Sequence, residues 1–274
     1  MPELPEVETV RRTLEKKVVG HKIEGVTIKL AKMVSSLPGE DFAETLLGRT
    51  IEAIKRRGKY LIFQLSGDYS LVIHLRMTGR LVASPKEEPL LPHCHVIFQL
   101  SQEVELRYSD VRQFGTLTLR PSNQLTDLSG LMSLGPEPLS EDFTVQIFLK
   151  ALSQKKSKLK PLLLNQHFLA GLGNIYVDEA LARAGLHPDR LAQSLQEEEG
   201  QKLYQSIQEV LREGIEARGT SFRDYVDGEG QKGDFQNQLW VYGREGEACR
   251  RCHEKIIREK RAGRSTHFCP CCQQ

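Results

Sequence analysis

The sequence predicts an α+β fold: one helix before a strand-rich half, a helical second half, and a metal-stapled C-terminal segment. Three observations carry that expectation. Short segments of alternating apolar residues dominate positions 21 to 120, the period of half-buried strands. From residue 142 the apolar spacing lengthens to that of amphipathic helices. Two Cys-x-x-Cys pairs, Cys249/Cys252 and Cys269/Cys272, stand near the C-terminus. At 274 residues the chain also exceeds the usual size of a single core, so two domains are expected.

The first element is a helix over residues 7–17 (VETVRRTLEKK), with Val7, Val10 and Leu14 on one face. Pro5 and the acids beside it suit its first turn. Strands follow in IEAI, KYLIFQLS, YSLVIHLRM, HVIFQL, VELRYS and GTLTLR, separated by turn-like Ser-Gly-Asp and Ser-Gln-Glu. Several strands after one helix imply a mostly antiparallel sandwich or barrel. Residues 121–142 lose periodicity and read as a connection. Helices are predicted over 142–154 and over 158–165, the latter with Pro161 in its first turn. A third covers NIYVDEALARA, entered through AGLGN and stopped by Gly185, and a fourth spans about 196–217. Residues 218–236 are glycine-rich and aperiodic, which predicts a mobile loop. The expected boundaries are 1–130 for the strand-rich domain, 131–142 for the linker, 143–236 for the helical domain and 237–274 for the metal-stapled segment.

Composition is that of an ordinary globular protein, 39% hydrophobic and 27% charged. No apolar run approaches the roughly 18 residues of a membrane span. The N-terminus does not pair a cationic stretch with an apolar core, so no signal peptide is expected and a cytoplasmic location follows by default. The net charge of +2 is too small to identify a partner. Its distribution says more, with clusters at Lys55, Arg56, Arg57 and Lys59, at Lys155, Lys156, Lys158 and Lys160, and between Arg244 and Arg264. Such islands suit a polyanion.

Sixteen residues separate Cys252 from Cys269, a spacing within the range of structural zinc sites. Four thiolates close a tetrahedral shell, so one structural Zn2+ is expected at Cys249, Cys252, Cys269 and Cys272. Cys271 is assigned as a spare thiol, and Cys94, between His93 and His95, as structural. At the other end, removal of Met1 would leave Pro2 as an N-terminal secondary amine, able to attack an electrophilic carbon and form an iminium ion. Glu3 and Glu6 lie within one helical turn of it and could move its protons.

Together, PELPE, LRMTGR, DVRQFG, LGPEPL, AGLGNIYVDEAL and the cysteine pairs resemble the bacterial formamidopyrimidine-DNA glycosylases over essentially the whole chain. Leu4 favours this branch over the endonuclease VIII type, which usually begins PEGPE. The resemblance implies a helix-capped antiparallel β-sandwich, a helix-two-turn-helix domain and a β-hairpin zinc finger. It also implies a monomeric, nucleoid-associated repair enzyme whose partner is damaged double-stranded DNA, excising oxidised purines and then cutting the strand by β,δ-elimination. Pro2 would be the nucleophile, Glu3 the main acid/base, Glu6 its support and Lys59 a proton donor. Met77, Arg112 and Phe114 would fill the hole left by the extruded base, although the residue types alone suit Met77 and Phe114 to a core. His74, His93, Lys160, Asn174 and Arg264 would join Lys59 in contacting DNA. Thr220, Ser221, Phe222, Arg223, Asp224 and Tyr225 would cover the base. Gln113 departs from the family's lysine, Thr78 stands where some relatives carry a base-contacting glutamate, and Asn165 stands where Asp is common. A non-catalytic zinc-finger binder would share the basic islands but has no need of the Pro2, Glu3 and Glu6 constellation.

Overall fold

The protein is described here by a computed structural model covering every residue except Arg223 and Ala262. It comprises two compact units, Met1–Met132 with Ala217–Asp234, and Ser133–Glu216 with Phe235–Gln274.

In the first unit α1 (Leu4–Val18) buries Val7, Val10, Leu14 and Val18, a stripe at helical spacing that faces the core. Then come β1 (Ile23–Ile28), β2 (Val34–Ser35), α2 (Phe42–Leu46), β3 (Ile51–Arg57), β4 (Tyr60–Leu65) and β5 (Tyr69–His74). They are followed by β6 (Gly79–Pro85), β7 (Cys94–Leu100), β8 (Val104–Asp110), β9 (Thr116–Pro121) and α3 (Ser129–Met132). The strands make two sheets, β1-β7-β8-β6 and β2-β9-β5-β4-β3. Their pairings are antiparallel apart from the short β2–β9 pair. Phe63, Ile73 and Leu117 from one sheet and Leu81, Val96 and Phe98 from the other meet α1 in one core. Two sheets around a shared core make this a sandwich.

The run YSLVIHLRM does not continue as a strand beyond His74. Arg76 takes a left-handed backbone, φ 54°, which turns the chain before β6 begins and puts Met77 at an exposed tip. The described residues of 217–234 group with the first unit and form a strap fastened to it. Gly228 N–H donates to Thr13 Oγ1 at 2.9 Å and its carbonyl accepts Ala83 N–H at 2.9 Å. Asp227, wholly buried, accepts from Glu229 and Gln231 N–H and pairs with Arg218. Composition registered the polar glycine-rich chain but not the partners that pin its backbone.

The second unit contains α4 (Val145–Ser153), α5 (Leu159–Leu164), α6 (Asn174–Ala184), α7 (Glu197–Glu216) and the hairpin β10 (Ile257–Arg261) and β11 (Arg264–Phe268). Thr144 caps α4 and Gly185, at φ 75°, ends α6. Helices α6 and α7 approach closely at Gly214, where a Cβ would lie 2.6 Å from the Tyr176 ring. Among the described residues, the hairpin segment contributes Val241, Cys249, Ile256 and Cys269 to a small core against Ala182.

Candidate functional site

The N-terminal turn of α1 is buried, with Glu3 and Glu6 each 2% exposed; Pro2 is buried and Met1 exposed. Glu6 Oε2 accepts Glu3 N–H at 2.8 Å, satisfying a backbone donor at the helix start. Its Oε1 accepts Thr220 N–H from the strap, also at 2.8 Å. Space there is tight: a Cβ on Gly219, at φ 85°, would stand 2.9 Å from Glu6 Cγ. Tyr225 completes the joint, its hydroxyl donating to the carbonyls of Glu6 and Arg218 at 3.2 and 3.1 Å. Burial and the Glu6 charge push the Tyr225 phenol well above its ordinary range, so it remains a donor.

Lys59 is 6% exposed in the β3–β4 turn. Arg56 ties that turn to α1, donating to Glu8 Oε2 at 3.0 Å and to the Gly58 carbonyl at 3.1 Å. Glu8 also pairs with Arg11 and Arg12. His74 ends β5; burial and the nearby Arg76 and Lys59 charges push its pKa down to about 3. Its Nδ1 accepts Arg76 N–H at 2.9 Å, leaving Nε2–H as a neutral donor. Sequence reasoning placed Glu8 in the first helix and Arg56 in a basic cluster but missed their pairing, which brings together residues 48 positions apart.

Met77 and Phe114 are not core residues: they are 41% and 53% exposed. They are gathered by Arg112, whose Nη1 donates to Met77 Sδ at 2.9 Å and whose guanidinium lies 4.9 Å from the Phe114 ring centre. Two apolar tips and a planar cation thus form one exposed cluster. Gln113 between Arg112 and Phe114 is left-handed, φ 57°. His93 is exposed nearby in the chain fold, its carbonyl accepting Asp110 N–H at 3.0 Å. Cys94 is buried, and burial raises its thiol pKa, as suits a structural residue.

Within the strap, Thr220 is buried, and Ser221 Oγ donates to the Tyr225 carbonyl at 2.9 Å and accepts Gly233 N–H at 3.0 Å. Phe222 is 52% exposed and Asp224 reaches Arg80 at 3.3 Å. Arg223 lies outside the described residues.

In the second unit, Lys160 is 1% exposed, which differs from the expected DNA-facing cation. Its ammonium lies 2.6 Å from Asp178 and donates to the Ser265 carbonyl at 3.0 Å. Asn174 Nδ2 donates to the same carbonyl at 2.8 Å, and its buried Oδ1 has no hydrogen-bond partner among the described residues. Gln166 shapes the preceding turn, donating to the Leu172 carbonyl at 2.7 Å and accepting Gly171 N–H at 3.0 Å. Asp178 Oδ2 accepts His267 N–H, while the adjacent Glu179 accepts from Trp240, Val241 and Tyr242 N–H. Two neighbouring buried acids therefore hold both sides of the hairpin segment. Arg264 is exposed where β11 leaves the hairpin turn.

The sulfurs of Cys249, Cys252, Cys269 and Cys272 lie within 4.8 Å of one another, with 3.9 Å between Cys249 and Cys272 and 3.5 Å between Cys252 and Cys269. A tetrahedron with Zn–S of about 2.3 Å has edges of about 3.8 Å, so the shell fits one structural zinc. Cys271, exposed, stands outside that group.

Comparison with known proteins gives three domain matches. They are the formamidopyrimidine-DNA glycosylase N-terminal domain over residues 1–117, the formamidopyrimidine-DNA glycosylase H2TH domain over 134–226, and the zinc finger found in FPG and IleRS over 246–274. The formamidopyrimidine-DNA glycosylase of Heliobacterium modesticaldum is 60% identical, with 100% of both chains covered. That of Pelotomaculum thermopropionicum is 51% identical over 100% of this chain and 99% of its own. A crystal structure of a Lactococcus lactis FPG mutant with Fapy-dG-containing DNA matches at a TM-score of 0.93 and 43% identity, covering 100% of each chain. The Lactococcus lactis Fpg complex with abasic-site DNA matches at 0.91 and 43%, covering 99% of each.

Proposed function

The chain belongs to the formamidopyrimidine-DNA glycosylase family, and on that premise we propose that it is a base-excision repair enzyme for oxidised purines in duplex DNA, with an abasic-site lyase activity. Once Met1 is removed, the Pro2 amine attacks C1′ of an extruded nucleotide. The glycosidic bond breaks, and the base leaves with its electron pair and gains a proton. The attached amine gives up its N–H proton, its lone pair expels O4′ from C1′, O4′ takes a proton, and the opened sugar remains joined to nitrogen as an iminium. Glu3 carries protons to and from the opening sugar. The iminium acidifies C2′–H; loss of that proton expels the 3′ phosphate, and a second elimination, with Lys59 as proton donor, expels the 5′ phosphate.

Glu6 keeps the helix start and the strap in register while this happens. Met77, Arg112 and Phe114 enter the base stack, where apolar and planar groups replace the lost stacking. His74, His93, Asn174 and Arg264 contact the DNA together with Lys59, and residues Thr220 to Tyr225 cover the base. Lys160 acts indirectly, by holding the zinc hairpin that presents Arg264. The enzyme works as a monomer.

The observation that carries this reading is the burial of both Glu3 and Glu6 beside the chain terminus, because an ordinary surface helix start leaves its acids in water. The test is borohydride trapping on a duplex carrying 8-oxoguanine opposite cytosine. Demethionylated protein should give a covalent protein–DNA adduct, lost on substitution of Pro2 or retention of Met1. Intact binding with no adduct would sink the catalytic reading.

A further inference from the structure

We propose that Asp110 is the positioning residue of the Met77, Arg112 and Phe114 cluster, and that Thr78 locks the two turns bearing those residues into one part. The proposal rests on the excision reading for what the cluster does. Asp110 ends β8 and is 1% exposed, with both carboxylate oxygens engaged. Oδ1 accepts the Thr78 hydroxyl at 2.5 Å and Arg112 N–H at 3.2 Å. Oδ2 accepts Phe114 N–H at 2.9 Å, Gly115 N–H at 2.8 Å and the Tyr108 hydroxyl at 3.4 Å. One buried carboxylate therefore fixes the backbone on both sides of the left-handed Gln113.

Thr78, next to Met77, closes the link, because its hydroxyl also accepts Arg112 N–H at 3.0 Å. Packing reinforces it. A Cβ on Gly79 or Gly115 would collide with the Tyr108 hydroxyl, so both turns close against the same phenol. Long side chains that must enter a base stack do so with less ordering cost when their backbones are already held. The family resemblance singled out Thr78 only for lacking a carboxylate; in this chain its hydroxyl is the connector.

The variants separate positioning from folding. Asp110→Asn keeps the shape but turns an NH2 towards groups that are themselves donors. Thr78→Val removes the connector and leaves every bond from Asp110 to residues 112–115 intact. Each is assayed by single-turnover excision of 8-oxoguanine opposite cytosine in duplex DNA, and by borohydride trapping on a single-stranded abasic oligonucleotide, which offers no stack to enter.

Duplex excision should fall at least about tenfold in both variants, as misplacement of a positioned group does. Trapping on the single strand should change less than about twofold, and Thr78→Ser should restore duplex excision. If Asp110→Asn does not fold, Thr78→Val decides. Duplex excision unchanged in Thr78→Val, or an equal loss on both substrates, overturns the proposal. A parent protein inactive on both substrates removes the excision reading itself, which is a different failure.

Discussion

Replacing Asp178 by Asn should loosen the zinc hairpin from α6 by a predictable amount. Asp178 is wholly buried and Lys160 almost so, with 2.6 Å between ammonium and carboxylate. The second oxygen accepts His267 N–H at 2.9 Å. Asn is nearly isosteric, so packing is retained and the loss is electrostatic. Whichever way the amide turns, its NH2 faces either the Lys160 ammonium or the His267 N–H, and the buried ammonium loses the charge of Asp178. Removing one side of such a pair costs about 3–5 kcal/mol. At about 2–4 °C per kcal/mol for a chain of this size, a cost of about 4 kcal/mol lowers Tm by roughly 8–16 °C. Thermal melts of the zinc-loaded protein, with zinc release followed by a chromogenic chelator, measure it. The paired replacement Lys160→Met with Asp178→Leu removes both charges and should recover most of the loss. An Asp178→Asn protein within about 1 kcal/mol of the parent, or a double variant as unstable as the single one, would refute the reasoning.

Chelating the zinc should unfold the terminal segment, whose small core cannot hold it alone. Trp240, the chain's one tryptophan, lies 5.5 Å and 4.8 Å from the Arg183 and Arg251 guanidinium carbons, so its emission should move to the red on chelation and return with zinc; constant emission contradicts this. His74 adds a pH signature. Folded, its pKa is about 3, and unfolded it is near 6.5. The unfolded state therefore binds a proton that the folded state excludes, so the contribution of His74 is complete above pH 6.5 and is lost as pH falls towards 3. Urea midpoints of His74→Gln should vary less between pH 6.5 and pH 4 than those of the parent, and parallel curves would exclude this role.

Much of the fold was legible because periodicity records burial directly. The stripe Val7, Val10, Leu14 and the segment NIYVDEALARA both became helices at the expected places. The zinc shell was legible from spacing alone, down to the choice of Cys272 over Cys271. What the sequence hid were long-range polar partners. Nothing local distinguishes Lys160 as a buried ion-pair member from its exposed neighbours, since Asp178 arrives only through tertiary structure. The same holds for the strap, whose glycines and acids look solvated until Thr13, Glu6 and Arg218 are placed against them. The Met77 turn was hidden differently: LRM continues an apolar pattern, and only the left-handed Arg76 ends the strand.

The strap also sets an order of events during synthesis. The first unit ends its N-terminal portion at Met132 and resumes only at Ala217. At about 5–20 residues per second the ribosome needs roughly 4–17 s to cross that interval. Until it does, the nascent sandwich lacks Tyr225 from its core, and Glu6 lacks the Thr220 donor that fixes it. The N-terminal turn, made first, is therefore among the last parts of its unit to be completed. A chain interrupted within the helical region would carry the Pro2, Glu3 and Glu6 sequence without the finished socket around it.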